Sequence, residues 1–140
     1  MDCGDIRQYI PQRTPIQMVD RLTDIKDDGA ETSFIVREDT YFVDENGRLT
    51  EPGLIEHIAQ SASALAGYKA VAAGAVHPPI GYIGEVKKFR CYRCPLVGDE
   101  LHTTITMGAE VDGVTIITGE TQVDGKVMAA TQMKIFMAGK

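Results

Sequence analysis

Apolar residues recur at helical spacing over one long stretch in the middle of the chain. Between residues 52 and 73 they form two adjacent stripes, one through positions 54, 58, 62 and 65 and one through positions 55, 59, 62 and 66. This spacing predicts a single α-helix over residues 52–73. Pro52 suits the first helical turn, where its missing N–H costs no hydrogen bond, and Gly74 with the Pro78–Pro79 pair should end the helix.

The predicted helix is apolar on nearly every side, since Glu56 and Lys69 are its only charged residues. Such a helix is normally buried, so we expect less than about a tenth of its side-chain surface to be exposed in a dimer. A membrane span is the competing interpretation, and the polar residues of the first half disfavour it: Glu56, His57, Gln60, Ser61 and Ser63. Gly67 should let another backbone segment approach the helix closely.

Two extended runs and a long polar loop precede the helix. Met18–Ile25 and Ala30–Val36 have the pattern of strands, with Asp28–Gly29 as a two-residue turn between them. The loop over residues 39–50 contains its own Asn46–Gly47 turn. Loops of this length that lead into a buried element are often functional.

After the helix the whole chain is strand-like. The expected strands are Ile80–Tyr92, residues 101–110, Val114–Val123 and a last strand from Val127, whose alternate residues 127 to 137 form an apolar face. Asp112–Gly113 and Asp124–Gly125 supply tight turns. This order predicts one α+β domain over residues 1–140, in which an antiparallel sheet wraps a long buried helix.

Composition and charge narrow the partners of the chain. A formal charge of −6 and a pI near 5.0 argue against nucleic acid. The acidic N-terminus has no apolar signal region, which predicts a soluble cytoplasmic protein. Cys91 and Cys94 form a lone C-x-x-C pair in strand-like sequence, and no second pair exists for a zinc site. We therefore expect two unrelated thiols, no metal and no cofactor.

One polar stripe runs along the predicted helix. Glu56, Gln60, Ser63 and Gly67 are spaced so that they share one face. A carboxylate and an amide within an apolar helix must be paired with another group or be used in function. For Gln60 the favoured interpretation is structural, a side chain that ties down a neighbouring strand. For Glu56, a structural acceptor of backbone N–H groups and a functional carboxyl group are equally good interpretations.

Three stretches of the chain together resemble one family. They are Ile10–Pro15 followed by Val19–Arg21, Pro52–Gly53 followed by Leu54–Gln60, and Gly84–Arg90 followed by Pro95–Asp99. In this order they are similar to the entry segment, the central helix, and the third strand with its turn in hot-dog-fold 3-hydroxyacyl-acyl-carrier-protein dehydratases. The resemblance implies the hot-dog fold. It also implies loss of water from a 3-hydroxyacyl thioester to give the trans-2-enoyl thioester, in fatty acid or polyene biosynthesis.

The resemblance also assigns site residues. In the family, a carboxylate at the position of Glu56 shares catalysis with a histidine in the preceding loop. Backbone N–H groups at a helix N-terminus suit the charge that grows on the thioester oxygen, so Gly53 and Leu54 are candidate substrate-binding residues. Gly84, on the matching strand, would form the second side of that site, and Gln60 is the remaining candidate for substrate binding.

The loop before the helix departs from the family pattern, because residues 41–49 contain no histidine. The chain looks closer to a divergent branch, the dehydratase-like components of aryl polyene pathways, which has a similar Phe-x-Asp-x-x-Gly-x-Leu run ahead of the helical glutamate. Asp44 fits that run, so it is a candidate to stand in for the histidine. His57, a partner chain, or no group at all are the other possibilities. Since His57 lies about 100° around the helix from Glu56, a capping or partner-facing role is favoured for it.

The resemblance implies a dimer with an acyl tunnel between the subunits. A homodimer is the default expectation, and a heterodimer with a histidine-bearing homologue is the main rival. Lys87, Lys88, Arg90 and Arg93 concentrate positive charge on an acidic chain. This cluster could dock an acidic acyl carrier protein or the phosphate of its pantetheine arm, and a solvated strand face is the equal alternative. A coenzyme A thioester is the other possible form of substrate.

Two other function classes stay open from the sequence. A hot-dog thioesterase would use Glu56 or Asp44 as a base for water and release a free acid. A non-catalytic acyl-binding subunit of a heterodimeric dehydratase would need only the tunnel. The remaining histidines, His77 and His102, are expected to be exposed to solvent.

Overall fold

The computed structural model describes residues 3–76 and 80–138. A short 3₁₀ helix covers Ile6–Gln8, and one long helix, α1, covers Glu51–Ala72. The strands are β1 (Arg21–Thr23), β2 (Gly29–Ile35), β3 (Ile80–Cys91), β4 (Glu100–Val111), β5 (Val114–Val123) and β6 (Lys126–Ala138).

The six strands form one antiparallel sheet in the order β1-β2-β4-β5-β6-β3. Strands β4, β5 and β6 follow one another as a meander, whereas β3 lies at the edge beside β6. Helix α1 contacts every strand of this sheet. The structure therefore confirms the α+β fold, with a long central helix packed on an antiparallel sheet.

Helix α1 confirms the helix predicted over residues 52–73 to within one residue at each end. Its middle is buried, while Glu51, Pro52, Lys69 and Ala72 near its ends are exposed in the chain alone. Gly74 has the left-handed φ of 102° expected of a residue just past a helix end. The Pro78–Pro79 pair lies outside the described residues. None of the helices in the described ranges is long and apolar enough to cross a membrane.

Two glycines let α1 approach its neighbours. A Cβ atom on Gly67 would overlap the carbonyl oxygen of Tyr9, because the chain before β1 crosses the helix at this point. A Cβ atom on Gly119 of β5 would overlap the side chain of Ile58. The role predicted for Gly67 is confirmed, and Gly119 seats the helix on the centre of the sheet.

The core consists of two clusters that share the helix. Ile58 and Leu65 of α1 belong to the first cluster, together with Ile105, Ile117 and Met133 of the sheet. Leu54 belongs to the second cluster, whose other buried residues include Leu49, Leu101 and Met128. Each fully buried side chain of this size contributes roughly 1.5–3 kcal/mol to stability. The two clusters together fix the first turns of α1, where Glu56 lies.

The region before the helix differs from the prediction. Strand β1 covers only Arg21–Thr23 and not Met18–Ile25, since the backbone of Met18 is bonded to a side chain of α1. Asp28–Gly29 is not a two-residue turn, because Gly29 already belongs to β2. Glycine is required there for packing, since a Cβ atom on Gly29 would lie 2.5 Å from the carbonyl oxygen of Ile105.

The expected hairpin turns after the helix are confirmed. Both residues of Asp112–Gly113 and of Asp124–Gly125 have the positive φ values that tight hairpin turns need. The predicted alternation of β4 ends at Met107, where a register shift interrupts its pairing with β5. The predicted inner face of β6 is buried at Ala129, Thr131, Met133 and Ile135. The side chain of Met137 lies outside the described part of the strand.

Candidate active site

Glu56 and Gln60 lie one turn apart on α1 and are hydrogen-bonded to each other. Gln60 Nε2 donates to Glu56 Oε2 over 2.7 Å. The other oxygen of the carboxyl group, Oε1, has no hydrogen-bond partner among the described residues. The bond from Gln60 therefore holds Glu56 by one of its two carboxyl oxygens.

Gln60 also ties α1 to the entry segment, which we define as residues 9–20. Gln60 Nε2 donates to the carbonyl oxygen of Ile16 over 2.9 Å, and Gln60 Oε1 accepts from the N–H of Met18 over 2.6 Å. Because the Gln60 side chain is buried, these bonds supply the partners that its polar atoms cannot obtain from water. The structural role favoured for Gln60 is confirmed, with an irregular segment in place of the expected strand. Its role in substrate binding stays a prediction.

Glu56 and Gln60 line a cavity of about 200 Å³ between α1 and the β3–β6 side of the sheet. The lining combines the polar stripe of the helix with side chains of the entry segment, β3 and β6: Gln12, Glu56, Ala59, Gln60, Ser63, Tyr82, Ile83 and Ile135. The prediction that Glu56, Gln60 and Ser63 share one face is confirmed. A volume of about 200 Å³ is room for several water-sized groups.

Gln12 is the residue at this cavity that the sequence analysis missed. Its Oε1 is buried and has no hydrogen-bond partner in the described part of the chain. Gln12 belongs to one of the stretches that carry the family resemblance, Ile10–Pro15. No hydrophobic period marks it, however, and a polar residue beside a proline is by itself typical of an ordinary turn.

His57 lies in the core and not at the cavity. It is fully buried, with Nδ1 2.6 Å from the carbonyl oxygen of Met18 and Nε2 2.7 Å from Thr103 Oγ1. Since a carbonyl only accepts, Nδ1 carries the proton and Nε2 accepts from the threonine hydroxyl. Burial disfavours the imidazolium and lowers the pKa of His57 to about 4. The favoured capping or partner-facing role is wrong, and both ring nitrogens are occupied in this arrangement.

Asp44 shapes the loop before α1. Its Oδ1 accepts from the N–H groups of Asn46 and Arg48, at 2.9 and 3.0 Å. The bond from the Arg48 backbone is the main cause that lowers the pKa of Asp44. No hydrogen bond or ion pair joins Asp44 to Glu56 within residues 3–76 and 80–138. The chain alone does not bring these carboxyl groups together, and a catalytic role for Asp44 stays a prediction.

The backbone donors expected at the start of α1 are only partly available. The N–H of Leu54 donates to the carbonyl oxygen of Thr50 over 3.0 Å, so the expectation of a free donor at Leu54 is wrong. Gly53 is buried beneath the preceding loop, and Gly84 lies at a bulge where β3 loses its register with β6. The roles of Gly53 and Gly84 in substrate binding stay predictions.

The basic cluster, defined as Lys87, Lys88, Arg90 and Arg93, is exposed at the end of β3. A second bulge of β3 falls between Lys87 and Arg90, with Lys88 at a φ of 53°. Within the described residues only Lys87 has an ion-pair partner, Glu85 at 3.6 Å. The cluster therefore presents a net positive surface on an acidic chain.

The remaining thiols and histidines lie away from the cavity. Cys91 and Cys94 are free, with their Sγ atoms 3.9 Å apart, and burial is the main cause that raises the pKa of Cys91 to about 11. His102 is exposed as expected, and His77 lies outside the described residues. No group of three or more His, Cys, Asp or Glu side chains in the described ranges is placed to hold a metal ion.

A long central helix packed on a six-stranded antiparallel sheet defines a protein of the hot-dog fold. A sequence model of the ApeP-like family, described as ApeP dehydratase, matches residues 4–140. The chain belongs to this ApeP-like family, a divergent branch of the hot-dog dehydratases, and its function is dehydratase-like.

Similar proteins that carry a name are dehydratases, and a solved structure has the same fold. The 3-hydroxyacyl-[acyl-carrier-protein] dehydratase FabZ of Shewanella sediminis is 28% identical over 140 residues, which cover 95% of this chain and 90% of the relative. FabZ of Clostridium botulinum is 29% identical over 148 residues, which cover 100% and 97%. The dehydratase heterocomplex ApeI:P from Xenorhabdus doucetiae has a similar structure, with a TM-score of 0.88 at 17% identity over 97% of this chain and 92% of that chain. The structural likeness confirms the hot-dog fold.

Proposed function

We propose that this chain acts in a dehydratase that removes water from a 3-hydroxyacyl thioester and leaves the trans-2-enoyl thioester. The observation that carries the proposal is the hydrogen-bonded pair of Glu56 and Gln60 at the cavity wall. Because Gln60 donates to Oε2, that oxygen acts as an acceptor, and Oε1 is the oxygen that can hold a proton toward the cavity. A proton at Oε1 is placed for delivery to the departing hydroxyl.

The reaction needs a second proton-transfer group. The bond from the α-carbon to its hydrogen breaks, the electron pair forms the new double bond, and the carbon–oxygen bond breaks as water leaves. Since Glu56 protonates the departing hydroxyl oxygen, a second group must act as the base that accepts the α-proton. His57 is occupied in the core and Asp44 is bonded within its own loop.

We assign that base to a partner chain. The proposed assembly is a pair of hot-dog chains, in which the partner is a histidine-bearing homologue and a second copy of this chain is the alternative. The solved ApeI:P structure, described as a dehydratase heterocomplex, contains a chain with this fold and supports the assignment. The missing loop histidine supports it independently.

The basic cluster is the proposed docking surface for an acidic acyl carrier protein. It is exposed, and most of its charge is not neutralised by neighbours within the described part of the chain. A positive patch on a protein with a net charge of −6 favours the approach of an acidic partner at that patch. The named function of the FabZ relatives, on acyl-carrier-protein substrates, supports this choice over coenzyme A.

The proposed function is tested by mass spectrometry of a 3-hydroxyacyl carrier protein incubated with this chain, alone and with a histidine-bearing hot-dog chain. Loss of the mass of one water from the carrier is the expected result, with the mixture faster than either chain alone. Glu56→Gln should lower turnover by about 10²-fold or more, since it removes the proton transfer and keeps the volume.

Glu51→Gln is the matched control, because Glu51 is an exposed carboxylate on the same helix. This variant should keep full turnover. Loss of the whole acyl group in place of water would instead identify a thioesterase. Full activity of Glu56→Gln in the mixture would contradict the assignment of the proton to Glu56.

A further inference from the structure

Gln12 lines the same cavity as Glu56, and its side-chain Oε1 is a buried hydrogen-bond acceptor without a donor among the described residues. A buried acceptor without a donor destabilises the folded state, so such atoms are rare unless water or a ligand supplies the donor. Gln12 is the only described residue with a buried side-chain nitrogen or oxygen atom in this state. Because Gln12 lines this cavity, the missing hydrogen-bond donor points to a ligand that carries an O–H or N–H group.

The entry segment holds Gln12 at this place from both sides. On one side, Gln60 binds the backbone at Ile16 and Met18. On the other side, Arg13 Nη1 donates to the carbonyl oxygens of Ile10 and Gln12, at 2.8 and 2.9 Å. Gln60 therefore joins the entry segment to α1, and Arg13 holds the local backbone of the segment at Gln12.

We infer that Gln12 Oε1 accepts a hydrogen bond from the 3-hydroxyl group of the substrate, and that Gln12 is therefore a specificity-determining residue. The inference rests on the proposed function. When Glu56 gives its proton to the hydroxyl oxygen, that oxygen still carries its own hydrogen, which points away from Glu56 and needs an acceptor. As the carbon–oxygen bond breaks, the leaving water becomes a stronger donor, so the bond to Gln12 strengthens in the transition state.

The same geometry separates substrate from product. The hydroxyl of a 3-hydroxyacyl thioester can donate a hydrogen bond to Gln12 Oε1. The enoyl product and a saturated acyl thioester of equal length have no such donor and leave Oε1 unpaired. Gln12 therefore favours the hydroxylated ligand and disfavours the product, without any contact to the thioester group.

The test compares binding of matched 3-hydroxyacyl and saturated acyl pantetheine thioesters in the Glu56→Gln background, where the hydroxyl is not eliminated. The chain is used with its partner if the partner is needed for turnover. The expected preference for the hydroxylated ligand is about fivefold, the value for one net hydrogen bond. Gln12→Leu should abolish this preference and leave binding of the saturated ligand equal or tighter.

Stability gives a second readout that a structural role would not produce. Gln12→Leu removes the unpaired acceptor, so its midpoint of thermal unfolding should equal or exceed that of the parent, while kcat/KM with Glu56 present should fall at least about fivefold. Gln17→Leu is the control, since Gln17 belongs to the same entry segment but binds the carbonyl oxygen of Val19. It should keep the hydroxyl preference.

The outcomes separate the two proposals. If the wild-type chain dehydrates its substrate but Gln12→Leu retains the hydroxyl preference, the inference on Gln12 is overturned and the proposed function stands. If no mixture dehydrates any 3-hydroxyacyl thioester but the hydroxyl preference is present and depends on Gln12, the proposed function is overturned and the inference on Gln12 stands. A lower unfolding midpoint for Gln12→Leu with an unchanged preference would make Gln12 structural only.

Discussion

Gln60 holds Glu56 by one carboxyl oxygen, with 2.7 Å between Gln60 Nε2 and Glu56 Oε2. The same amide fastens the entry segment to α1 through Ile16 and Met18. A single buried side chain thus connects the stability of the fold to the orientation of the proposed catalytic carboxyl group. Substitutions at Gln60 should therefore affect both properties together.

Gln60→Met keeps the length of the side chain and removes all of its hydrogen bonds. It leaves the buried N–H of Met18 without an acceptor and the carbonyl oxygen of Ile16 without this donor, so the free energy of unfolding should fall by about 2–4 kcal/mol. Gln122→Met is the control, because Gln122 Nε2 also donates to a glutamate, Glu120, over 2.9 Å but on the exposed surface. It should change stability by less than about 0.5 kcal/mol. Equal effects in urea unfolding would contradict the role of Gln60.

His57 should make the fold sensitive to mild acid. Its folded-state pKa of about 4 lies below its ordinary value of 6.5, so in the unfolded chain it binds a proton that the folded chain excludes. Stability should therefore be independent of this group above pH 6.5 and should fall by up to about 3 kcal/mol as the pH drops from 6.5 to 4. Urea unfolding at several pH values measures the slope.

His57→Gln should flatten that slope, whatever it does to stability at neutral pH. His102→Gln is the control, because His102 is exposed on the opposite face of its strand, and it should keep the wild-type slope. Identical slopes in the wild-type chain and His57→Gln would show that other groups dominate in this range.

Charge reversal of the basic cluster tests the docking surface. Lys88→Glu with Arg90→Glu should raise KM for a carrier-bound substrate, and the difference should shrink as salt is added, since exposed charges are screened within about 10 Å at 0.1 M. Lys26→Glu with Lys69→Glu reverses the same number of charges near the β1–β2 connection, at the other edge of the sheet. An equal rise in KM for both double variants would reflect net charge and not a docking site.

Gly67→Ala tests the close crossing of the entry segment over α1. Alanine favours a helix by up to about 1 kcal/mol over glycine, so helix propensity alone predicts stabilisation. The added methyl group would overlap the carbonyl oxygen of Tyr9, and a backbone atom cannot move aside cheaply. We expect a net loss of about 1–3 kcal/mol in the free energy of unfolding. A rise in the unfolding midpoint would contradict the crossing.

The parts of the fold that follow from local chemistry were predictable from the sequence. The period of α1 gave its bounds to within one residue, and the Asp-Gly pairs at 112 and 124 gave the hairpins. The turn predicted at Asp28–Gly29 was wrong because Gly29 is needed for a close contact with Ile105 of β4. A glycine needed for space and a glycine needed for a turn look the same in sequence.

The candidate site was predictable only where it lies on one helix. Spacing placed Glu56, Gln60 and Ser63 on one face, and the cavity confirms it. The burial of His57 depends on Met18 and Thr103, which are far away in the sequence and meet it only in the folded chain. Gln12 was missed for the same reason, since its missing partner is visible only once the neighbours are known.

The place of β3 in the sheet has a consequence for the order in which the chain folds. Strand β3 directly follows α1, yet among the described residues it pairs only with β6, which is synthesised after β4 and β5. Hairpins close at low entropic cost, so the β4–β6 meander should form first, and β3 should join it late, after a long loop has closed. A nascent chain that has not yet exposed β6 carries Tyr82, Ile83 and Val86 on a strand without a partner. That interval, before the sheet is complete, is when this chain is most prone to aggregate or to need a chaperone.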